Sequence, residues 1–316
     1  MSVGRVAGGT DTGRKRRRNE DAYVVQPPLF AVADGMGGPQ AGEVASRLAA
    51  AALEESLVAG GGEEQVAELI QEANRRVYKR SAEDAAVSGM GTTMTVALVE
   101  DGTVAIGHVG DSRAYRLRDG AFEQLTEDHS LVAELMRSGK LSPEEARIHP
   151  QRSVITRALG TDPDVDVDVY TVEARTGDVF LLCSDGLVSM VADEAIQTTL
   201  ARHRDDLDAA VKALIKQALK SGGEDNITVV CFEIAERGDG GAGELERTKE
   251  HVLDAVDEDT LDELDAVPAV DDTMIVRAED VAAAAPRERR RPLLPLLLLI
   301  VIVIGLVALA VWGLKK

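Results

Sequence analysis

The sequence predicts an α+β fold in which antiparallel sheets carry helices on their outer faces, rather than a doubly wound parallel sheet. Two observations point there. Short β-rich runs come in adjacent pairs, and two pairs are joined by Asp101-Gly102 and Asp119-Gly120, the dipeptide suited to tight hairpin turns. Longer amphipathic stretches separate the paired strands, as helices packed on a sheet would require.

Taken in order, strands are expected at Ala22–Val25, Leu29–Ala33, Thr92–Glu100, Thr103–Val109, Arg113–Arg118, Asp178–Cys183 and Ile227–Ile234. Helices are expected at Ala41–Ala59, Glu63–Ala82 and Asp206–Lys220. The alanine-rich first helix reads as packing against a sheet, with Gly42 and Glu43 near its start close to the site developed below. Between His129 and Gly160 lies a mostly helical excursion. There Ser142-Pro143-Glu144-Glu145 combines an N-cap, a first-turn proline and a capping-box glutamate. It reads as a flap beside the site.

The folded unit is expected to occupy residues 1–236. From Gly238-Asp239-Gly240-Gly241-Ala242-Gly243 onward, an acidic stretch with little apolar periodicity predicts a disordered linker over 237–292. Leu293 to Trp312 carries no charged side chain, and at about 1.5 Å per residue it reaches across the roughly 30 Å of a bilayer core. A transmembrane helix is therefore expected over 293–313, with a short extracytoplasmic tail at 314–316. Arg287, Arg289, Arg290 and Arg291 precede it, against Lys315 and Lys316 after it, which places the folded unit on the cytoplasmic side.

Composition narrows the function classes. With Lys+Arg 35 against Asp+Glu 55 in 316 residues, the formal net charge is -20, which argues against a nucleic-acid binder. The run Arg14-Lys15-Arg16-Arg17-Arg18 reads instead as a rim that attracts a phosphorylated substrate. Cys183 and Cys231 sit in apolar strand-like runs, which leaves no disulfide framework and no paired-cysteine zinc spacing. A reducing compartment fits.

Four acidic punctuations end or begin apolar runs: Asn19-Glu20-Asp21, Asp34-Gly35-Met36-Gly37-Gly38, Ser184-Asp185-Gly186 and Glu224-Asp225-Asn226. Any one of them alone reads as a turn. Leu29–Ala33 and Val179–Cys183, however, deliver Asp34 and Asp185 to strand ends, where scaffolds hold rigid sites. Two unit charges 4 Å apart repel by roughly 4 kcal/mol at an effective dielectric of about 20, so converging carboxylates need cations or protons. Oxygen-only donors suit Mg²⁺ or Mn²⁺.

Arg16, Glu20 and Asp21, Asp34-Gly35-Met36-Gly37-Gly38, Met90-Gly91-Thr92-Thr93, Gly110-Asp111-Ser112-Arg113, Ser184-Asp185-Gly186 and Asp225-Asn226-Ile227-Thr228 together resemble the ordered motif series of the PPM, or type 2C, protein phosphatases. The resemblance covers about Gly8 to Ile234. It implies a sandwich of two antiparallel sheets flanked by helices, with a dinuclear Mn²⁺ or Mg²⁺ centre at one end. It also implies roles. Asp34 resembles the carboxylate bridging both ions, and the Gly35 carbonyl contributes to the second. Asp185 and Asp225 resemble ligands of the first, Glu20 and Asp21 hold the centre through water, and Asp111 with Asp185 resembles the ligand set of a third, weaker ion. Arg16 resembles the arginine that grips the substrate phosphate.

The chemistry that follows is in-line attack on phosphorus by a water bridging the cations, with no covalent phosphoenzyme. The implied substrates are phosphoserine and phosphothreonine in proteins, with reversal of Ser/Thr kinase signalling at the membrane by a monomeric catalytic domain. Where animal members carry a histidine proposed as general acid, this sequence has Met36, which donates no proton. His129 is weighed as a substrate contact against a capping or surface role, and Thr273 as a phosphorylation site against an unmodified linker residue. Two other readings compete: a pseudophosphatase that recruits partners through its acidic tail, and a membrane-bound hydrolase of small phosphoesters.

Overall fold

The computed structural model describes residues 1–37, 40–55, 61–236 and Met274–Ile275. It opens with strands β1 (Ser2–Asp11), β2 (Asp21–Gln26) and β3 (Leu29–Met36), then helices α1 (Ala41–Glu55) and α2 (Gly62–Glu83). Next come β4 (Gly91–Thr92), β5 (Met94–Glu100), β6 (Thr103–Val109), β7 (Arg113–Arg118) and β8 (Ala121–Gln124). The excursion that follows holds α3 (Leu131–Arg137), α4 (Pro143–Arg147) and β9 (Val154–Ile155). The chain returns through β10 (Asp168–Glu173), β11 (Val179–Cys183), α5 (Asp185–Val188), α6 (Asp193–Arg202), α7 (Leu207–Ser221) and β12 (Ile227–Ala235). A short β13, Met274–Ile275, falls within the stretch expected to be linker.

Two antiparallel sheets form, in the orders β1-β12-β11-β7-β8 and β10-β6-β5-β3-β2, the second with β4 added beside β3. The two Asp-Gly turns are where the sequence places them. Asp101 and Gly102 connect Glu100 to its partner Thr103, and Asp119 and Gly120 connect Arg118 to Ala121. All four turn residues have positive φ, 36° and 89° in the first turn and 49° and 83° in the second, the geometry whose twist matches paired strands.

The expected strand Thr92–Glu100 is broken at Thr93 into β4 and β5, because Thr93 is drawn aside to bond Asp34. The long β1 escapes sequence reading, since the three glycines of Ser2–Asp11 offset its three β-branched residues and blur any alternation. Its pairing with β12 is what makes it a strand. The capping box at Ser142 is present, with the Ser142 side chain accepting from the Glu145 amide and the Glu145 carboxylate accepting from the Ser142 amide.

The interior between the sheets is apolar. Phe30 and Val32 of β3, Ala97 and Val99 of β5, Phe180 and Leu182 of β11, and Phe232 of β12 meet there. Phe30 stacks on Phe232 with centroids 4.1 Å apart, and Phe180 lies 5.0 Å from Phe232 on its own sheet. Each such ring contributes on the order of 1.5–3 kcal/mol by burial. The alternate residues point outward and are buried as well: Leu29, Ala31 and Ala33 under α1 and α2, and Leu181 and Cys183 under α6 and α7. Both faces of the central strands are covered, which explains their near-continuous apolar runs.

All of this, β13 included, belongs to one compact unit, Met1–Arg277. Among the described residues no helix is long and apolar enough to cross a membrane. The span expected at 293–313 lies outside the described residues, as do Gly38 and Thr273.

Candidate metal centre

One end of the sandwich collects the C-terminal ends of β3, β6 and β11 and the N-terminal ends of β2, β7 and β12. Every acidic motif residue singled out in the sequence lies at that end. Asp21 stands opposite Asp34 in the β2–β3 register. Asp34 is fixed through its backbone: its amide donates to Thr93 Oγ1 (2.9 Å), and its carbonyl accepts from the Thr93 amide (2.8 Å) and from Thr92 Oγ1 (2.9 Å). Thr93 Oγ1 also bonds Ser112 Oγ at 2.8 Å, which carries the clamp to the residue after Asp111.

Asp185 begins α5, directly after β11 and Ser184. The carboxylate of Asp21 joins the two sheets, its Oδ2 accepting from Ser184 Oγ (2.8 Å) and Thr228 Oγ1 (2.6 Å). Asp225 Oδ2 accepts from Arg16 Nη2 at 2.8 Å, so the guanidinium expected to grip phosphate is held at the carboxylate cluster. Glu20 is placed by backbone contacts, its carbonyl accepting from the Gly35 amide (3.1 Å) and its amide donating to Asn226 Oδ1 (2.8 Å). Gly35 permits this approach. A β-carbon there would collide with the Gly42 carbonyl and crowd that of Glu20, and the Glu20 carboxylate in turn lies over Gly42. Gly42 thus sits beside the site, as expected of the start of α1, and Glu43 follows it, 3.6 Å from Arg18.

The electrostatics of this end are costly. Burial, then Asp21, Asp185, Asp225 and Asp111 in turn, hold the Asp34 carboxyl well above the usual carboxylate range. Asp185 is pushed up in the same way, by burial first and by Asp111 next. Burial raises Asp21 to about 6, against the pull of the Thr228 and Ser184 hydroxyls. Asp111 is raised to about 7, again chiefly by burial and then by Asp128.

Two buried oxygens, Asp21 Oδ1 and Asp185 Oδ1, have no hydrogen-bond partner. A buried carboxylate oxygen left without a partner costs free energy that a cation would recover. Among the described residues no three histidine, cysteine or carboxylate side chains already clasp a single point as ligands of one ion. The donors are nevertheless all oxygen, close-set, electrostatically frustrated and partly orphaned. They fit hard divalent cations.

Several residues that place this site carry little signal in the sequence. Asn226 is the chief one: besides accepting from Glu20, its Nδ2 donates to the carbonyls of Thr12 (2.9 Å) and Arg18 (2.9 Å), which ties down the basic loop that holds Arg16. An Asp-Asn pair reads as a turn, and only the return of the N-terminal loop onto β12 reveals the role. His129 has neither a capping nor a surface role. It is 5% exposed, and its Nδ1 accepts from the Gly110 amide at 3.0 Å, so Nε2 carries the proton donated to Asp168 Oδ2 at 3.0 Å. The imidazole therefore latches the flap to the loop before Asp111. Met36 is 4% exposed and packs on Ile155 and Ala158 of the flap. It fills space with an apolar thioether and offers no proton donor there. Cys183 and Cys231 are free and buried.

The Protein phosphatase 2C family model matches residues 9–225. The serine/threonine phosphatase Stp of Listeria monocytogenes serotype 4b is 42% identical over 236 residues, which span 71% of this chain and 93% of that protein. The crystal structure of the Mycobacterium tuberculosis serine/threonine phosphatase PstP/Ppp is 39% identical, with a TM-score of 0.70 over 74% of this chain and 100% of that one. A structure of the PstP catalytic domain in complex with two manganese ions is 37% identical, with a TM-score of 0.69 over 75% of this chain and 100% of that one. The motif order read from the sequence, the sandwich and the carboxylate end agree with these likenesses: the chain belongs to the protein phosphatase 2C family.

Proposed function

We propose that this chain dephosphorylates phosphoserine and phosphothreonine in proteins, using a pair of divalent cations held at the carboxylate end of the sandwich. The enzyme is a metal-dependent serine/threonine protein phosphatase, with Mn²⁺ or Mg²⁺ as cofactor. The observation that carries the finer reading is the convergence of Asp21, Asp34, Asp111 and Asp185, with two orphaned buried oxygens, beside the Arg16–Asp225 pair.

Asp34, Asp185 and Asp225 would hold the ions directly, with the Gly35 carbonyl contributing. Glu20 and Asp21 would support the centre through water, and Asp111 with Asp185 would serve a third ion. When bound, the ions supply a water of lowered pKa and neutralise charge on the phosphoryl oxygens.

The chain's own groups do the rest. Arg16 offers a guanidinium with donors beyond the one given to Asp225, suited to two oxygens of a phosphate. The Thr92–Thr93 clamp fixes the backbone of Asp34, so that its carboxylate would be presented from a rigid strand end. Burial of Met36 leaves the leaving alkoxide without a protein acid at that position, and solvent held by the carboxylates would protonate it.

The location belongs to the same proposal. The charge-free segment 293–313, with arginines before it, would tether the enzyme to the inner face of a membrane, where it would oppose a Ser/Thr kinase. The test is hydrolysis of a phosphothreonine peptide by the full chain with Mn²⁺ or with chelator, alongside Asp185→Asn. Activity that needs Mn²⁺ and is lost in the variant supports the reading. Equal activity with chelator sinks it.

A further inference from the structure

β9 holds an unusual position in the flap. On one side Ile155 bridges Ser130 in antiparallel sense. On the other, β13 lies alongside in parallel register, Met274 opposite Val154 and Ile275 opposite Ile155. These two residues lie well beyond β12 in the sequence, and the compact unit correspondingly ends at Arg277.

β9 also lies close to the carboxylate end by two routes. Ile155, 2% exposed, packs on Met36, the residue after Asp34-Gly35. The amide of Thr156, directly after β9, donates to the His129 carbonyl at 2.9 Å, and the His129 amide donates to the Gly110 carbonyl at 2.7 Å, next to Asp111. A strand laid on the edge of β9 is therefore one contact away from the end of β3, which carries Asp34, and from the loop that carries Asp111.

We propose that the open edge of β9 is a docking site for an extended peptide segment, and that the chain's own Met274–Ile275 occupies it and holds the flap against entry of a phosphoprotein. Strand addition draws its affinity from main-chain bonds and so needs little sequence information. The segment Met274-Ile275-Val276 is a short apolar, β-favouring patch between Asp271-Asp272 and Arg277, in a region otherwise rich in acidic residues. Two paired residues are a weak contact by themselves, and tethering in the same chain raises their effective concentration enough to make docking worthwhile. A contact of that kind is displaceable, so a protein substrate that brings its own extended segment can compete for the edge. Only this kinetic consequence rests on the phosphatase reading; the docking stands apart from it.

The test uses the full chain and the double variant Met274→Pro/Ile275→Pro, which removes two backbone donors from β13 without touching the folded sandwich. Amide hydrogen exchange over residues 150–157 is expected to quicken by about tenfold, the scale of one or two net backbone hydrogen bonds, with β3 and β11 unchanged. A synthetic peptide of residues 269–280 added to the variant should restore the protection. With Mn²⁺, the variant's KM for a phosphothreonine peptide should fall severalfold while turnover of a small aryl phosphate stays the same. Unchanged exchange at 150–157 overturns the docking. Faster exchange with an unchanged KM for the peptide overturns the role in gating. Loss of activity on both substrates in both forms counts against the phosphatase reading, and the exchange arm still decides the docking.

Discussion

The middle of the sandwich and its carboxylate end are built on opposite terms. Between the sheets, Phe30, Phe180 and Phe232 stack face to face among aliphatic side chains, and burial there is favourable for every group involved. At the end, Asp21 and Asp111 are buried and Asp34 and Asp185 partly so, and each is held above its ordinary pKa by desolvation and by its neighbours. The first region stabilises the fold; the second is maintained by it. Sites that bind cations are found where a scaffold can hold groups that would otherwise move apart.

The largest expected effect comes from the second region. Asp185→Asn removes one charge from the cluster and one ligand from the proposed ion, and activity with Mn²⁺ should fall by about 10³-fold or more. The Tm in chelator should stay level or rise, since a source of repulsion is gone. A marked drop in Tm would show that the carboxylates stabilise the fold, and the contrast drawn here would fail.

Phe232→Ala reverses the pattern. Removing the central ring of the stack should cost about 3–5 kcal/mol in denaturant unfolding. Activity per folded molecule should be little changed, which a titration of active enzyme would show.

Cations and pH sharpen the comparison further. Asp21, raised to about 6, and Asp111, raised to about 7, keep protons in the folded chain that the unfolded chain has lost above about pH 4. Their contribution is therefore full at low pH and lost as pH rises through 6 to 7. His108 acts in the opposite sense. Burial lowers it to about 3, so the folded chain resists protonation and stability falls as pH drops from about 6.5 toward 3. With chelator, Tm should decline between pH 5 and pH 7.5. Saturating Mn²⁺ should cancel that decline and raise Tm at pH 7.5 by roughly 5–10 °C, given about 2–3 kcal/mol of binding linkage. A Tm indifferent to Mn²⁺ at both pH values would count against cation binding at this end.

The smallest effect is expected at the rim. Arg16→Ala removes a partly buried guanidinium that faces Asp225, and KM for a phosphothreonine peptide should rise about tenfold with stability little altered. An unchanged KM would confine Arg16 to its pairing with Asp225.

Much of this was legible in the sequence, for reasons that differ from residue to residue. Asp101-Gly102 and Asp119-Gly120 announce hairpins because few residue pairs accept two positive φ angles, and both hairpins form there. The capping box at Ser142 is equally local. The acidic punctuations could be picked out because each interrupts an apolar run, and the fold brings them to one end. β1 was illegible, because a glycine-rich segment becomes a strand only through its pairing with β12. His129 and Asn226 were misjudged or passed over because their partners are remote: Gly110 and Asp168 for the one, and Thr12, Arg18 and Glu20 for the other.

The sequence by itself determined the strand pairs and their turns, the order of the motifs and the oxygen-only chemistry of the donors. These follow from backbone preference, side-chain periodicity and residue type, which act over a few positions at a time. Only the tertiary structure decided that Asp21 lies opposite Asp34, that Arg16 turns to Asp225, that Met36 is buried under the flap, and that Met274–Ile275 lies on β9. Such contacts join residues far apart in the chain. They arise from the closing of two sheets over one apolar interior, which no local stretch of sequence encodes.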